Sequence, residues 1–545
     1  MKKQAVAAYA SEAADAAAAA AYLYPSDCPS GSLPYLAYAH LDVVPVENWP
    51  KKAGTTGTGW RVDPWSGAIQ GGEIWGRGAI DDKQAVLGHL EAIEDLLSQG
   101  LMTAGPERTV YLCFGHDEEV GGHAGAAKVA SLLREYGVRC DFLLDEGLFV
   151  VDGCLPQVTR PVALVGTQEK GSVTLEMSVE VEPGHASKPG REGAIGLMAR
   201  AVKRLEGHPM PGHFDNVRPL LEAVAGSFRW PMQFVFANLW LFRGPLQRIF
   251  LAQAGTAAMV RTTTAVTMFR AGEKSNVLPA TASAVVNHRI HPADSVAAVL
   301  AHDEAVLRGD MAWHHYSFAP SFLLLLSAAQ WACLGWPLAY VAASPALLLA
   351  WVLTSLLAVT VPPWLVGRVL GAAWRPEENL LYDAAERPWG VKIATFRSTK
   401  AFEPSPRSST THDAYRDLRL STFEVFNSAC IGRDDSGGSV HATSAQKQDQ
   451  QQQQQQQHSG FGADSSKGVL FAPALMIGGT DSKHFLPIVN QAYRFNPILL
   501  HMSETNMFHG HNERIGVESY ARLVAFFRTF HLRSQERGSD ALRRW

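Results

Sequence analysis

Residues 111–125, YLCFGHDEEVGGHAG, decide how this chain is read. The opening apolar run closes on Gly115 and reads as a buried strand. Asp117, Glu118 and Glu119 follow, and then the glycine pair Gly121 and Gly122. Open α/β sheets carry their sites at the carboxyl ends of strands, and these acids fall at such an end. Three carboxylates side by side repel one another, so something must offset their charge.

The neighbouring sequence repeats the pattern. PYLAYAHLDVVPV (34–46) predicts a strand, and DDKQAVLGHLEAIEDLLSQG (81–100) a helix with Val86, Leu90, Ile93 and Leu97 on one face and Gly100 closing it. AGAAKVASLLREYG (124–137) predicts a helix ending at Gly137, and CDFLLDEG (140–147) another strand. Such alternation argues for an α/β sheet covered by helices. SVTLEMSVEVE (172–182), GAIGLMARAVKRLEG (193–207) and ATASAVVNHRIHP (280–292) then predict a smaller α+β domain inserted into the first. The α/β pattern resumes near Tyr415 and closes with a helix whose Val517, Tyr520, Val524 and Phe527 form one stripe. The expected organisation is an alanine-rich segment (1–34), an α/β domain (35–170 and 403–545) and the α+β insertion (171–402).

Two inserts interrupt this plan. Residues 316–367 contain no Asp, Glu, Lys or Arg, and crossing a bilayer takes ~20 apolar residues. A membrane hairpin over 322–361 with its turn at Ser344-Pro345 is one reading of this apolar insert (about 311–390); a core element, or a stretch absent from the mature protein, is the other. Residues 433–467 surround an unbroken glutamine run, 450–457, and read as low-complexity. A net charge of −4 gives no reason to expect a nucleic-acid partner. Six cysteines show neither framework spacing nor a CxxC pair, and Glu12 and Asp15 interrupt the N-terminus before a signal-peptide core develops.

Ligand-type residues gather at the strand ends: His40 and Asp42, Asp81 after the GRGAI turn, Glu118 and Glu119, Asp145, and His509 or His511 before the last helix. Each has a bland reading: a structural histidine, an N-capping aspartate, a solvated helix start, a turn. Their joint order argues against coincidence. Arg77 and Lys83 are the basic residues within these motifs, so a multivalent cation is the economical counter-charge. Histidine mixed with carboxylates suits zinc, cobalt or manganese.

AHLDVVP, GRGAIDDK, HDEEVGG, LLDEG, EPGHASKPG, SNVLPA, NHRIHP, GGTDSKHF and HGHNERI occur in this order. In them the chain resembles the two-metal aminoacylase/carboxypeptidase family of metallopeptidases, above all its carboxypeptidase S branch, which includes N-acyl-amino-acid hydrolases. The resemblance implies two Zn2+ ions (Co2+ or Mn2+ as substitutes). His40, Asp81 and Asp145 would hold one; Asp81, Glu119 and His509 would hold the other. Asp42 would orient His40, Glu118 would be the general acid/base, and His185 on an inserted lid domain would steady the oxyanion, typically of a partner subunit. Asn276, with Thr480 and Lys483 of GGTDSK, would grip the substrate's carboxylate, and Arg289 is a weaker candidate. Relatives commonly carry arginine where this chain has Lys483, which lacks the two-pronged geometry. His116 and His123 match no ligand. The implied substrate is a short peptide or an N-acyl amino acid, the implied assembly a homodimer through the lid, and the implied location vacuolar or another endomembrane. A membrane-associated N-fatty-acyl amino acid hydrolase and a non-catalytic membrane scaffold are the rival expectations.

Overall fold

The computed structural model describes residues 32–46, 59–102, 108–155, 157–308, 392–395, 401–427 and 468–542. The apolar stretch 316–367, the glutamine-rich stretch 433–467 and residues 1–31 lie outside these, so the membrane hairpin is not among the described elements. Among the described residues, no helix is long and apolar enough to cross a membrane. The chain divides into two compact units. The first is Met1–Lys170, Asp215–Leu239 and Pro404–Trp545; the second is Gly171–Phe214 and Trp240–Glu403.

The first unit opens with Tyr35–His40 (β1), the short strands Ile69–Gln70 (β2) and Glu73–Trp75 (β3), then Val110–Gly115 (β4), Cys140–Asp152 (β5) and Val162–Glu169 (β6). The second contributes Gly171–Glu180 (β7), Gly184–His185 (β8), Thr263–Ala271 (β9), Val277–Leu278 (β10), Thr281–Ile290 (β11) and Lys392–Thr395 (β12). The chain returns to the first unit with Leu470–Met476 (β13), Val489–His501 (β14) and Arg514–Gly516 (β15).

In the first unit six strands form a mixed sheet in the order β13-β6-β14-β5-β1-β4. β1 runs parallel to both β4 and β5, and β5 parallel to β14, whereas β6 meets β5 and β14 antiparallel. All six residues of β1 are buried, as expected of an apolar run covered on both faces. On one face Tyr35, Phe142 and Tyr493 pack with Leu418, Leu523, Phe526 and Phe530 from two helices, Asp413–Asn427 and Val517–Leu542. On the other, Leu36, Tyr38 and Leu143 pack with Ala130 and Leu133 of the helix Ala126–Glu135.

The helix Lys83–Ser98 forms where expected but buries the expected face only in part. Its buried residues are Gln84, Ala85, Val86, Gly88, His89, Ala92 and Leu96; of the expected face Val86 is buried and Ile93 half-buried, while Leu90 and Leu97 are exposed. The cause lies in its partner: a Cβ on Gly88 would fall 2.1 Å from Leu523 Cδ2. Small residues let the two helices approach closely, and Leu90 and Leu97 are turned outward.

The first unit also takes in Asp215–Leu239, residues the sequence places within the insertion. The short helix Arg218–Val224 in this segment buries Leu220, Leu221 and Val224. The second unit is α+β: an antiparallel sheet ordered β12-β7-β11-β9, with the helix Ala194–Gly207 set on it through Met198, Ala201 and Leu205. A two-stranded ribbon, β8 with β10, stands beside it in sequence.

Candidate metal centre

Register brings the acids together. His40 pairs with Gly115 across β1 and β4, so the acids after Gly115 emerge beside it. On the other side Ala37 pairs with Leu144 of β5, which carries Asp145 and Glu146 to the same rim. Adjacent residues on a strand face opposite ways, so only one of those two acids can address His40.

The structure selects Glu146. Its Oε1 lies 3.6 Å from His40 Nε2. Asp145, expected as a ligand, is in neither ligand-type cluster found among the described residues. It is buried, its Oδ1 accepts the Glu146 backbone N–H at 2.9 Å, and its Oδ2 has no hydrogen-bond partner. Burial, with the charges of Glu146, Asp481 and Glu169, raises its pKa well above the usual aspartate value. The strand passes β14 here at Gly147, where a Cβ would fall 2.6 Å from Arg494 Cβ.

Asp81 stands between two imidazoles. Its Oδ1 is 3.2 Å from His40 Nε2, and its Oδ2 is 3.2 Å from His509 Nε2. Glu119 Oε2 lies 3.2 Å from the same His509 nitrogen. His511 is elsewhere: it lies over Gly59 and meets Trp60 edge-on. Asp42 ties the centre together, accepting the N–H groups of Glu118 and Glu119 at 3.1 and 3.0 Å while its Oδ1 sits 3.4 Å from His40 Nδ1. The loop bearing His509 is fastened to the turn bearing Asp81 by Arg77. That guanidinium donates to Glu513 Oε2 and to the Gly510 carbonyl, both at 2.8 Å, and Glu513 Oε1 accepts the Ile80 N–H at 2.9 Å. Arg77 is thus paired to Glu513 and not to the acids of the centre.

The electrostatics betray crowding. Burial and the Glu146 charge push Glu118 up to about 10, and burial and the Asp81 charge push Glu119 up to about 7. Burial also raises Glu146. Burial opposes protonation of His40, yet Glu146, Asp42 and Asp81 together hold its pKa far above the imidazole range. Asp81 moves the other way: burial raises it, but hydrogen bonds from His40 and His509 hold it below the aspartate range.

The donor set fits metal ions. His40, Asp81 and Glu119 form one cluster, and His40, Glu118 and Glu146 another, with ligand atoms all within 4.8 Å of one another. Two ligands on a tetrahedral zinc at ~2.1 Å would lie roughly 3.4 Å apart, close to the 3.2–3.6 Å separations at His40, Asp81, Glu119, Glu146 and His509. Glu119 Oε1 is a second buried oxygen without a partner. A divalent ion would satisfy it and neutralise the cluster.

Beneath the rim lies a polar network that sequence reading missed. Glu169 accepts the Thr480 N–H and the Ser482 hydroxyl, and Arg494 donates to both Glu169 and Ser482. Thr480, expected to touch substrate, is buried and donates its hydroxyl to Ser482 at 2.8 Å. Its side chain braces the loop. Asp481 accepts the Tyr38 hydroxyl at 2.6 Å, and Lys483 Nζ lies 3.7 Å from Asp481 Oδ1, close enough to Glu118 to draw its pKa down. The acid in TQEK (167–170) and the arginine in YRF (493–495) were the available sequence signals for this network.

In the second unit, β8 and β10 pair His185 with Val277, which places His185 beside Asn276 on one exposed ribbon. His185 Nδ1 contacts Ser187 Oγ at 2.7 Å. Arg289 lies near the far end of β11, paired with Ser172 and Thr263, eight residues beyond Thr281. At ~3.4 Å per residue that is roughly 27 Å from the end nearest the ribbon. Arg289 is not brought together with Asn276 and His185.

Residues 36–533 match the model of peptidase family M20/M25/M40. The N-fatty-acyl-amino acid synthase/hydrolase PM20D1 of Xenopus tropicalis is 34% identical over 498 residues, covering 91% of this chain and 71% of that protein. Probable carboxypeptidase S-like 2 of Dictyostelium discoideum is 30% identical over 502 residues, covering 92% and 71%. Among solved structures, an M20 family metallo-carboxypeptidase from Sulfolobus solfataricus aligns with a TM-score of 0.52 at 15% identity, covering 93% of this chain and 86% of that one, which is a likeness of fold.

Proposed function

The chain belongs to peptidase family M20/M25/M40, and from that premise we propose that it is a zinc-dependent, two-metal amide hydrolase of short peptides or N-acyl amino acids with a free carboxylate. The observation carrying this reading is Asp81, whose two oxygens each face a different imidazole, so that this carboxylate could be shared by two ions. His40, Asp81 and Glu146 are assigned to one ion, and Asp81, Glu119 and His509 to the other. Asp42 orients His40 and fixes its tautomer.

A divalent ion held there would lower the pKa of water and polarise a carbonyl. Glu118 is the proton carrier: it accepts a proton from the attacking water and hands it to the leaving amine. Lys483, whose charge acts on Glu118, is assigned to attract the substrate's carboxylate. The complete set of acids and imidazoles speaks against a non-catalytic scaffold.

A finer reading is favoured by the relatives named N-fatty-acyl-amino acid synthase/hydrolase: the acyl group is a fatty chain. Parallel assays of Gly-Leu and N-oleoyl-phenylalanine on zinc-loaded protein test it. Preferred cleavage of the oleoyl amide supports the finer reading, preferred cleavage of the dipeptide supports the carboxypeptidase reading, and hydrolysis of neither overturns both.

A further inference from the structure

The helix Leu239–Ala252 turns an apolar face to solvent. Inward, it buries Leu246 and sets the Phe250 ring edge-on to Phe214 at 5.6 Å. Outward, Trp240 is 80% exposed, Ile249 61% and Leu241 55%. At 100° per residue Trp240 and Ile249 mark the two edges of a roughly 180° arc that also holds Gly244, Arg248, Leu241 and Ala252, all exposed. Aromatic side chains so open to water are seldom without a partner.

The charge of the segment says what that partner is. Residues 223–272 contain five arginines (229, 243, 248, 261 and 270) and no aspartate or glutamate. Arg248 lies in the middle of the apolar face and has no carboxylate partner among the described residues. We propose that this face docks the protein on an anionic lipid surface, with the helix lying in the interface. Trp240, Leu241 and Ile249 would enter the acyl boundary, where tryptophan is favoured, while Arg248 reaches lipid phosphates. A second copy is a poorer occupant: about a twofold axis the acid-free face would meet itself and bury Arg248 against like charge. The apolar stretch 316–367 is poorer as well, because it carries no acid to pair with Arg248.

The test is cosedimentation of the full zinc-loaded chain with vesicles of phosphatidylcholine alone and of phosphatidylcholine mixed with phosphatidylserine. The wild type should bind the mixed vesicles more tightly. Trp240→Glu and Arg248→Glu should each weaken binding about tenfold or more, with melting temperature and hydrolysis of a soluble N-acyl amino acid unchanged. Wild type that stays in the supernatant, or variants that sediment like wild type, would overturn the proposal. So would a dimer that the same variants convert to monomer without any vesicle binding, or binding that emerges only when residues 316–367 are deleted, which would mark a second copy or that segment as the occupant.

Discussion

Side chains that look alike in sequence take different parts in the metal centre. Glu118→Gln should keep its metal content while turnover falls ~10²-fold or more; unchanged turnover would remove Glu118 from the chemistry. Glu146→Ala should lose one metal equivalent by elemental analysis, whereas Asp145→Asn should retain both, because Glu146 and not Asp145 faces His40. The reverse result would restore Asp145 as ligand. Much of this centre was legible: His40, Asp42, Asp81, Glu118 and Glu119 stand at strand ends where the pattern alone points. The choice within Asp145-Glu146 was not, because both acids sit at the same strand end and only the pleat decides which faces the cleft. The bracing of Thr480 was hidden for a related reason, since the acid that claims its loop, Glu169, is 311 residues away in sequence. In metal-free protein Glu119, raised from 4.5 to about 7, keeps a proton that the unfolded chain loses. Stability of that form should therefore fall as pH rises through this window, and the fall should vanish when zinc is bound. Thermal melts across pH, with and without chelator, check the sign.

Elements carry the next set of consequences. Helix existence was readable from periodicity, but its buried face only in part: Val86 is buried as expected, whereas Leu90 and Leu97 give way to Gly88, through which the helix Lys83–Ser98 meets Leu523. Gly88→Val should destabilise by roughly 1–3 kcal/mol through overpacking against Leu523, while Leu90→Ala on the exposed side should stay within ~0.5 kcal/mol of wild type. Denaturant titration of the two variants distinguishes the faces; equal effects would contradict this packing. The buried Arg77–Glu513 pair ties two loops that each carry a proposed ligand. Breaking it with Glu513→Gln should cost stability and weaken zinc affinity together, read by calorimetry, since His509 and Asp81 lose their common anchor. A stability loss with affinity untouched would reduce the pair to a plain structural role.

For the whole molecule, the sequence announced an α/β domain interrupted by an α+β insertion, and the two units have that character. What it could not announce is that the segment Asp215–Leu239 leaves the insertion and joins the first unit; a short amphipathic helix looks the same in either context until its partner strand is known. The central claim is that acids and imidazoles from distant parts of the chain hold a pair of divalent ions on which hydrolysis depends. The most direct test is zinc titration of chelated full-length protein, with bound metal and hydrolysis of an N-acyl amino acid followed in the same samples. Activity should return in step with two equivalents of zinc, and Asp81→Asn should bind little of either and remain inactive. Full hydrolysis by the metal-free chain, or an Asp81→Asn protein that still takes up two zinc ions and turns over normally, would contradict the account.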